Sequence, residues 1–405
     1  MALHYHEPSH PPRHIRHART AIFTVFATNG FGFASWMARI PHVRDALDLE
    51  PGELGRLLLA LACGAVLALP TAGFVVGWLG AARTVAIGSL VAGSGLIISA
   101  FAADVIGSVA VTGIGLFALG YGTGSWDVAM NVEGAAVERL LDRHIMPRFH
   151  ALFSLGTVVG AGLGAGLTWL GVSVAVHLTT IGAGVVVVTL LSTRHFLPAR
   201  TPAERDATGP TISAWHAWRE PRTLLIGVMV LCFALIEGIA NDWLAVGLVD
   251  GYGVGNATGA AGFAIFVAAM TAGRLGGPWV LERYGRPAVI RASGMTSAAG
   301  VLMVVFGGTP VVAVAGVLLW GCGAALGFPV GMSAAADDPQ RAAARVAVVS
   351  SIGYTAFLAG PPLLGWIGDH EGVLRALLVA GVAGVVGSAV GVAVRAARPS
   401  STSAG

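Results

Sequence analysis

The chain has 405 residues, of which 55% are hydrophobic and only 11% are charged, with a mean hydropathy of +0.76 and a formal net charge of +3. Soluble globular proteins carry about 25% charged residues, so this composition excludes an ordinary soluble domain. All the basic residues are arginine. Since the phosphate-binding Gly-Lys-Ser/Thr loop requires lysine, the sequence also argues against ATP as an energy source.

The apolar residues fall into about twelve runs, each long enough to form a helix that crosses a bilayer, for which ~20 residues are needed. The runs are at 20–40, 54–78, 83–103, 106–136, 148–171, 173–195, 222–248, 257–281, 286–307, 310–335, 344–367 and 371–395. They are too long for strands, so the sequence predicts an integral membrane protein surrounded by lipid.

The arginines are distributed unevenly between the two ends of these runs. With an even number of spans both termini share a side, and nineteen of the 24 arginines fall in segments on that side. The opposite side has four, which are Arg39, Arg44, Arg56 and Arg375. Basic residues favour the cytosolic side. We therefore predict a multi-pass protein of a bacterial cytoplasmic (inner) membrane with both termini in the cytosol, and we expect no nucleic-acid partner.

A polar segment divides the runs into two sets of six. The predicted organisation is a cytosolic tail at 1–19, a six-helix bundle at 20–197, a cytosolic loop at 198–221, a second six-helix bundle at 222–396 and a cytosolic tail at 397–405. The two sets are similar in sequence. "ALGYGTGSW" resembles "LWGCGAALGF", which pairs Gly120 with Gly321, and Trp36 pairs with Trp243. A repeat of this kind favours a substrate site near the midplane, between the halves.

The segment "GPWVLERYGRP" at 277–287 resembles the Gly-x-x-x-Asp-Arg-x-Gly-Arg loop of the major facilitator superfamily. Here Glu282 replaces the aspartate, and Arg283 and Arg286 match the two arginines. The copy in the first half, "GFVVGWLGAARTV", keeps Gly73 and Arg83 but has no acid. The resemblance implies an all-α membrane fold of 12 transmembrane helices in two pseudo-symmetric six-helix bundles, without a cofactor and as a monomer.

The fourth run also resembles fucose-permease-like transporters and the related YbjJ-type group. In "WDVAMNVEG" an acid, Asp127, is followed by Ala129 and Asn131, and "EGIANDW" at 237–243 has the acid and Asp-Trp pattern of the seventh helix. In those relatives the acid on the fourth helix takes up the proton. The tryptophan Trp126 beside it could pack against a sugar ring.

Ionisable groups at the membrane midplane are costly, by about 2.5–3.5 kcal/mol, and function is the first hypothesis for them. The candidates for proton coupling are Asp127, Glu237, Asp242 and Glu133. The candidates for substrate binding are Asn29, Trp126, Asn131, Asn241, Trp243 and Trp36. For each of them the alternative is a structural contact between helices.

A third group of residues is predicted to form a cytosolic gate or latch. Its members are Arg83, Arg148, His150, Arg274, Glu282, Arg283 and Arg286. We expect Arg274 to pair with Glu282, and no metal site is expected.

The sequence therefore predicts a non-enzymatic, proton-coupled symporter of a small polar organic solute, such as a sugar. The proton gradient is its energy source, and the halves rock about a central site. The first alternative is a proton-driven exporter, because "GTVVGAGLGA" at 156–165 resembles an antiporter motif. A membrane sensor or membrane enzyme is a distant alternative, since the longest loop has only about 24 residues.

Overall fold

The computed structural model describes residues 12–141, 145–198, 214–338 and 341–395. Most of the predicted loop at 198–221, most of the tail at 1–19 and the tail at 397–405 lie outside the described residues. The described part of the first tail is largely helical, because the first helix already begins at Arg13.

The first half of the chain contains six long helices and one short one. They are α1 (Arg13–Met37), α2 (Ile40–Ala46), α3 (Pro51–Leu79), α4 (Ala81–Phe101), α5 (Val109–Leu141), α6 (Met146–Trp169) and α7 (Val174–Thr193). A π-helical turn, Ala102–Ile106, extends α4, and α2 is the short helix between the first two spans.

The second half follows the same order with more interruptions. Its helices are α8 (Ala214–Ala217), α9 (Pro221–Ile239), α10 (Ala245–Tyr252), α11 (Asn256–Tyr284), α12 (Arg286–Phe306), α13 (Pro310–Ala324), α14 (Gly327–Ala335), α15 (Ala342–Glu371), α16 (Val373–Ala376) and α17 (Leu378–Val390). A π-helical turn at Ala240–Leu244 joins α9 to α10.

Length and composition identify ten described helical segments that can cross a membrane, or eleven if α1 and α2 form one bent span. The remaining long helix, α5, is not among them. It carries Asp127, Asn131 and Glu133 in its second half, which lowers its mean hydropathy. As a 33-residue helix packed against α3 and α4, α5 nonetheless completes six spans in the first half.

The two halves contact each other through two equivalent pairs of helices. The second span, α3, packs on the eleventh, α15, and the fifth span, α6, packs on the eighth, α11. A twofold rotation that exchanges the halves would exchange these two contacts. We call the surface between the halves the seam.

The paired glycines Gly120 and Gly321 have matching environments. A Cβ on Gly120 would collide with the backbone carbonyl of Leu61 on α3, and a Cβ on Gly321 would lie 2.5 Å from the carbonyl of Phe266 on α11. Since α3 and α11 are the second spans of their halves, both glycines permit the same close helix approach. The sequence similarity between the halves thus has a structural counterpart.

One end of the seam is closed. Because successive spans alternate in direction, α2, the start of α11 and the end of α15 share this end, which we call the α2 end. The shortest hydrogen bonds that cross the seam there join three pairs: Arg44 Nη1 to both carboxylate oxygens of Asp250 (2.6 and 2.5 Å), Asn256 Nδ2 to Asp45 Oδ2 (2.6 Å) and the Gly52 N–H to Asp369 Oδ1 (2.8 Å). We call these six residues the α2 gate.

At the opposite end, called the termini end, the halves are apart. A Cβ on Gly73 of α3 or on Gly276 of α11 would meet no atom within 4 Å. All the hydrogen bonds that cross the seam between described residues lie at the α2 end. The structure is therefore closed at the α2 end and separated at the termini end.

A buried polar pair holds the junction between α1 and α2. Arg39 is fully buried, and its Nε donates a hydrogen bond of 2.9 Å to Nδ1 of His177 on α7. Among the described residues, both terminal nitrogens of Arg39 and Nε2 of His177 have no partner. Asp104 contributes electrostatic attraction to Arg39 and uses its own Oδ2 to cap Ala175 at the start of α7. The position of α2 depends on this pair, since Arg39 immediately precedes α2.

Replacing His177 with alanine should destabilise the protein. The substitution leaves the buried Nε–H of Arg39 without an acceptor, so we expect the free energy of unfolding in detergent to fall by about 2 kcal/mol. His177→Asn is the matched control, because its amide oxygen can accept the same bond. Equal stability of the alanine and asparagine variants in chemical denaturation would contradict this role.

Replacing Gly55 with alanine should open the α2 end. The new Cβ would lie 2.5 Å from the carbonyl oxygen of Pro361 on α15, and overpacking of this kind costs about 2 kcal/mol. We expect the ratio of open to closed molecules to rise roughly thirtyfold. Spin labels on the exposed residues Ala46 and Gly255 would report the distance across this end.

The control for this experiment is Gly73→Ala, which places the same methyl group in open space on the same helix. If both variants give the same distance distribution as the unsubstituted protein, α3 and α15 are not in the close contact described above.

Candidate functional site

Asp127 lies on α5, half-buried, at the middle of the seam. Asn131, one turn later, donates its amide to the Asp127 backbone carbonyl at 2.9 Å and to Asp127 Oδ1 at 3.4 Å. Across the seam, Tyr354 of α15 is close enough to interact electrostatically with the carboxylate. Within the described part of the chain, no arginine or histidine forms an ion pair with Asp127. The acid therefore faces the opposite half without a cationic partner.

The second acid at the seam, Glu237, has a cationic partner. It lies at the end of α9 and accepts two hydrogen bonds from Nη2 of Arg274 on α11, at 3.0 and 3.2 Å. The expected pairing of Arg274 with Glu282 is wrong. Glu282 lies two turns further along the same helix and is exposed, whereas Glu237 is on the neighbouring helix at the depth of Arg274.

His150 lies opposite this pair, on the other half. It is an exposed residue near the start of α6, and its ring packs edge-on against Phe26 of α1 at a centroid distance of 5.2 Å. Arg274 is near enough to His150 for the two side chains to interact electrostatically. The predicted gate residues His150 and Arg274 therefore face each other across the seam.

Asn241 and Asp242 lie in the π-helical turn between α9 and α10, and both are half-buried. Asp242 lines a narrow cleft between this turn and α15, together with Phe357 and Pro361. Single π-helical turns in α-helices are frequent at functional sites, because the extra residue redirects the side chains beyond it. Here the turn directs Asp242 toward the helix that closes the α2 end.

The three tryptophans and Asn29 lie in helix packing. Trp36, Trp126 and Trp243 are each at most 1% exposed, and their indole nitrogens have no partner among the described residues. Asn29 is also buried, and its amide donates only to the sulfur of Met130, at 3.9 Å. None of the four is on the open surface of the seam, and their predicted contact with a substrate stays a prediction.

Glu133 forms a contact inside the first half. It is 5% exposed, and its Oε1 accepts a hydrogen bond of 2.6 Å from the Leu197 N–H beyond α7. One turn later, Glu138 accepts bonds from the N–H groups of Ile145 and Met146 and so caps α6. Both acids stabilise the termini end of the first half, and neither contacts the seam.

The other predicted gate residues lie at the termini end. Arg83, Arg148, Glu282 and Arg283 are exposed there. Arg286 bonds Asp337 at 2.7 Å and Ser333 at 2.9 Å, within the second half.

A similar cluster surrounds Glu220 at the start of α9. It accepts bonds from Arg345 at 2.6 Å and from Arg341 at 3.0 Å, and the Arg345 bond lowers the pKa of Glu220 to about 2. Like the Arg286 cluster, it joins helices of one half and leaves the seam free.

Sequence reasoning missed Tyr354 and the α2 gate. Tyr354 lies in "SSIGYTAFLAGP" on the eleventh span, which resembles "FSLGTVVGAGLG" on the fifth, so its place in the repeat could have drawn attention to it. The acids Asp250 and Asp369 each lie two residues beyond the end of an apolar run, where a charged side chain can reach water. Only the tertiary contacts distinguish them from ordinary interfacial residues.

Several solved structures have the same fold. The nucleoside transporter NupG aligns with a TM-score of 0.77 at 16% identity over 93% of this chain and 100% of NupG. The D-xylose-proton symporter aligns with a TM-score of 0.69 at 14% identity, over 92% of this chain and 97% of that one. The E. coli fucose:proton symporter FucP aligns at 0.61, with 14% identity and the same coverage. These likenesses confirm the predicted all-α twelve-helix fold.

The chain also has relatives at higher identity. An uncharacterized MFS-type transporter of Yersinia pestis is 32% identical over 84% of this chain and 86% of its own length. The membrane protein MosC of Rhizobium meliloti is 30% identical over 91% of this chain and 88% of its own. The Major Facilitator Superfamily model matches residues 21–361. The protein is therefore a multi-pass membrane transporter that belongs to the Major Facilitator Superfamily.

Proposed function

We propose that this protein is a proton-coupled secondary transporter of a small polar organic solute in the bacterial cytoplasmic membrane. The observation that carries the proposal is Asp127, an acid at the middle of the seam that faces Tyr354 of the other half and has no cationic partner among the described residues. An acid in such a place can exchange a proton with water, and its charge then alters the interaction between the halves. No cofactor is required.

Three solved structures of the same fold belong to transporters of polar solutes. The neighbours in fold are a nucleoside transporter, a D-xylose-proton symporter and a fucose:proton symporter. Together with the Asp127-Val-Ala-Met-Asn131 motif, they favour the fucose-permease-like or YbjJ-type subgroup and a monomeric symporter. The identities of 14–16% support the fold alone, so the solute class rests on the motif.

In the proposed cycle the termini end faces the cytosol and the α2 end faces the outside. The described state is then inward-facing, with the α2 gate closed toward the outside. Outward opening requires that the pairs Arg44–Asp250, Asp45–Asn256 and Gly52–Asp369 separate. Protonation of Asp127 changes the relative free energies of the two states because the seam around Asp127 differs between them.

Export of a drug or natural product is the second candidate function. The segment 156–165 supports it through the spacing of Gly156 and Gly160 on α6. The backbone of α1 approaches both glycines closely, at Ala27 and Phe31. These glycines therefore have a packing role inside the first half, which favours the symporter.

Removing the ion pair of the α2 gate should favour the outward-open state. A partly exposed ion pair contributes about 1 kcal/mol, so Arg44→Ala should raise the outward-open to inward-open ratio roughly fivefold. The distance between spin labels at Ala46 and Gly255 measures the shift. Arg56→Ala is the matched control, because Arg56 forms only an exposed contact of 3.9 Å with Glu53 of its own helix. A shift of equal size in both variants would contradict the gate.

Asp127→Asn should uncouple transport from the proton gradient. The amide cannot be ionised, so we expect proton-driven accumulation in proteoliposomes to fall by at least about tenfold, while exchange of solute across the membrane persists without pH dependence. Glu133→Gln on the same helix is the control, since its amide oxygen can still accept the Leu197 N–H. Unchanged pH dependence of uptake and exchange in Asp127→Asn would remove Asp127 from the coupling role.

A further inference from the structure

The guanidinium of Arg274 is only partly used by the protein. Its Nη2 makes both contacts with Glu237, and its Nε reaches the Ala325 carbonyl at 3.4 Å. Nη1 makes no hydrogen bond with any described residue. A guanidinium binds a carboxylate best through two nitrogens in parallel. Because Glu237 contacts Nη2 alone, it does not use two guanidinium nitrogens in parallel.

The break between α13 and α14 holds the guanidinium in place. Ala325 and Leu326 lie outside the two helices, so the Ala325 carbonyl can accept a bond from Arg274. The side chains of Arg274 and Glu237 are 27% and 24% exposed, and water can therefore reach them. Arg274 is held by one half of the protein and keeps free donors toward the seam.

The group opposite is His150, which is on the first half and close enough to interact electrostatically with Arg274. When both carry a positive charge they repel each other. An anion between them would attract both. Unlike His150, Arg274 carries a permanent charge, because arginine does not lose its proton in proteins.

Glu237 is the only counterion that the described residues provide for Arg274 within ion-pair distance. A proton on Glu237 would leave a partly buried guanidinium without a negative partner, which is unfavourable. An incoming anion restores the neutrality of the site. Proton uptake by Glu237 and anion binding by Arg274 therefore favour each other.

We propose that the transported solute carries an oxyanion, a carboxylate or phosphate, which binds Arg274 in place of Glu237 while Glu237 takes up a proton from water in the seam. The inference rests on the proposed transport function and specifies the substrate class of the same site. When the anion leaves, the carboxyl of Glu237 releases its proton to water and its carboxylate bonds Arg274 again. One proton thus accompanies one negative charge.

A neutral solute would behave differently. It could bind beside the intact Arg274–Glu237 pair, and its affinity would not depend on the protonation of Glu237. For an anion the two equilibria are linked. Its apparent affinity should therefore rise as the pH falls.

The first test requires no knowledge of the natural solute. In purified full-length Glu237→Ala, Arg274 has lost its counterion, and acetate or inorganic phosphate should raise the thermal stability while acetamide should not. The double variant Glu237→Ala/Arg274→Gln is the control and should show no such gain. A Glu237→Ala protein that responds equally to acetate and acetamide, or a double variant that still responds to acetate, would overturn the proposal.

The second test identifies the anion. Binding to the full-length protein is measured for sugar acids, hydroxy acids and sugar phosphates, each beside its uncharged parent, from pH 8 to pH 6. We expect the charged members to bind, Arg274→Gln to weaken them by at least about tenfold, and Glu237→Gln to bind them without pH dependence. Binding of the uncharged parents with equal affinity would contradict the inference.

The two proposals fail in different ways. Proton-driven uptake of a neutral solute that requires Asp127 but tolerates Arg274→Gln would reject the oxyanion and keep proton-coupled transport. Uptake of an anion that requires Arg274 but shows no response to a pH gradient would reject the coupling of the anion to a proton on Glu237, and with it the proposed function.

Discussion

A charged group inside a membrane needs a partner or a path to water, and this constraint explains where the ionisable residues of this protein lie. Arg39 is buried with His177 as acceptor, and Glu133 accepts a backbone N–H. Asp127, Glu237 and Arg274 face the seam, which water can enter. If these ionisable side chains faced lipid instead, they would make insertion into the membrane less favourable by several kcal/mol. The seam is thus the one part of the described membrane region where charge can change at moderate cost.

Much of this arrangement follows from local sequence. Twelve apolar runs predict the helices, and the similarity of the halves predicts that they pack in equivalent ways, as the environments of Gly120 and Gly321 confirm. The seam position of Asp127 follows from its motif, because an acid that interrupts an apolar run on the fourth span has few other places to lie. These features depend on residues close together in the chain or on the repeat.

The partners of the charged residues could not be predicted in the same way. Arg274 and Glu282 are neighbours in sequence on one helix face, which made their pairing plausible, yet Glu237 lies 37 positions away and is the partner. The Arg44–Asp250 pair joins residues that are 206 positions apart. Pairing at such separations depends on the relative depth and rotation of helices, and local patterns carry no information about either.

The two ends of the seam differ in how their charges are used. At the α2 end, Arg44 and Asp250 belong to different halves, so their attraction closes the seam. At the termini end, Glu220 and Asp337 are satisfied by arginines of their own half, and the loop near Arg83 has lost its acid. The described residues of the termini end therefore provide no ion pair between the halves. In the proposed cycle, a bound solute or a proton at the central groups alters the interaction of His150 and Asp127 with Arg274 and Tyr354, and this change contributes to closing the termini end. The conformational equilibrium of the proposed cycle therefore depends on the site itself, since the ion pairs that the described residues form at the termini end hold helices of one half and do not join the two halves.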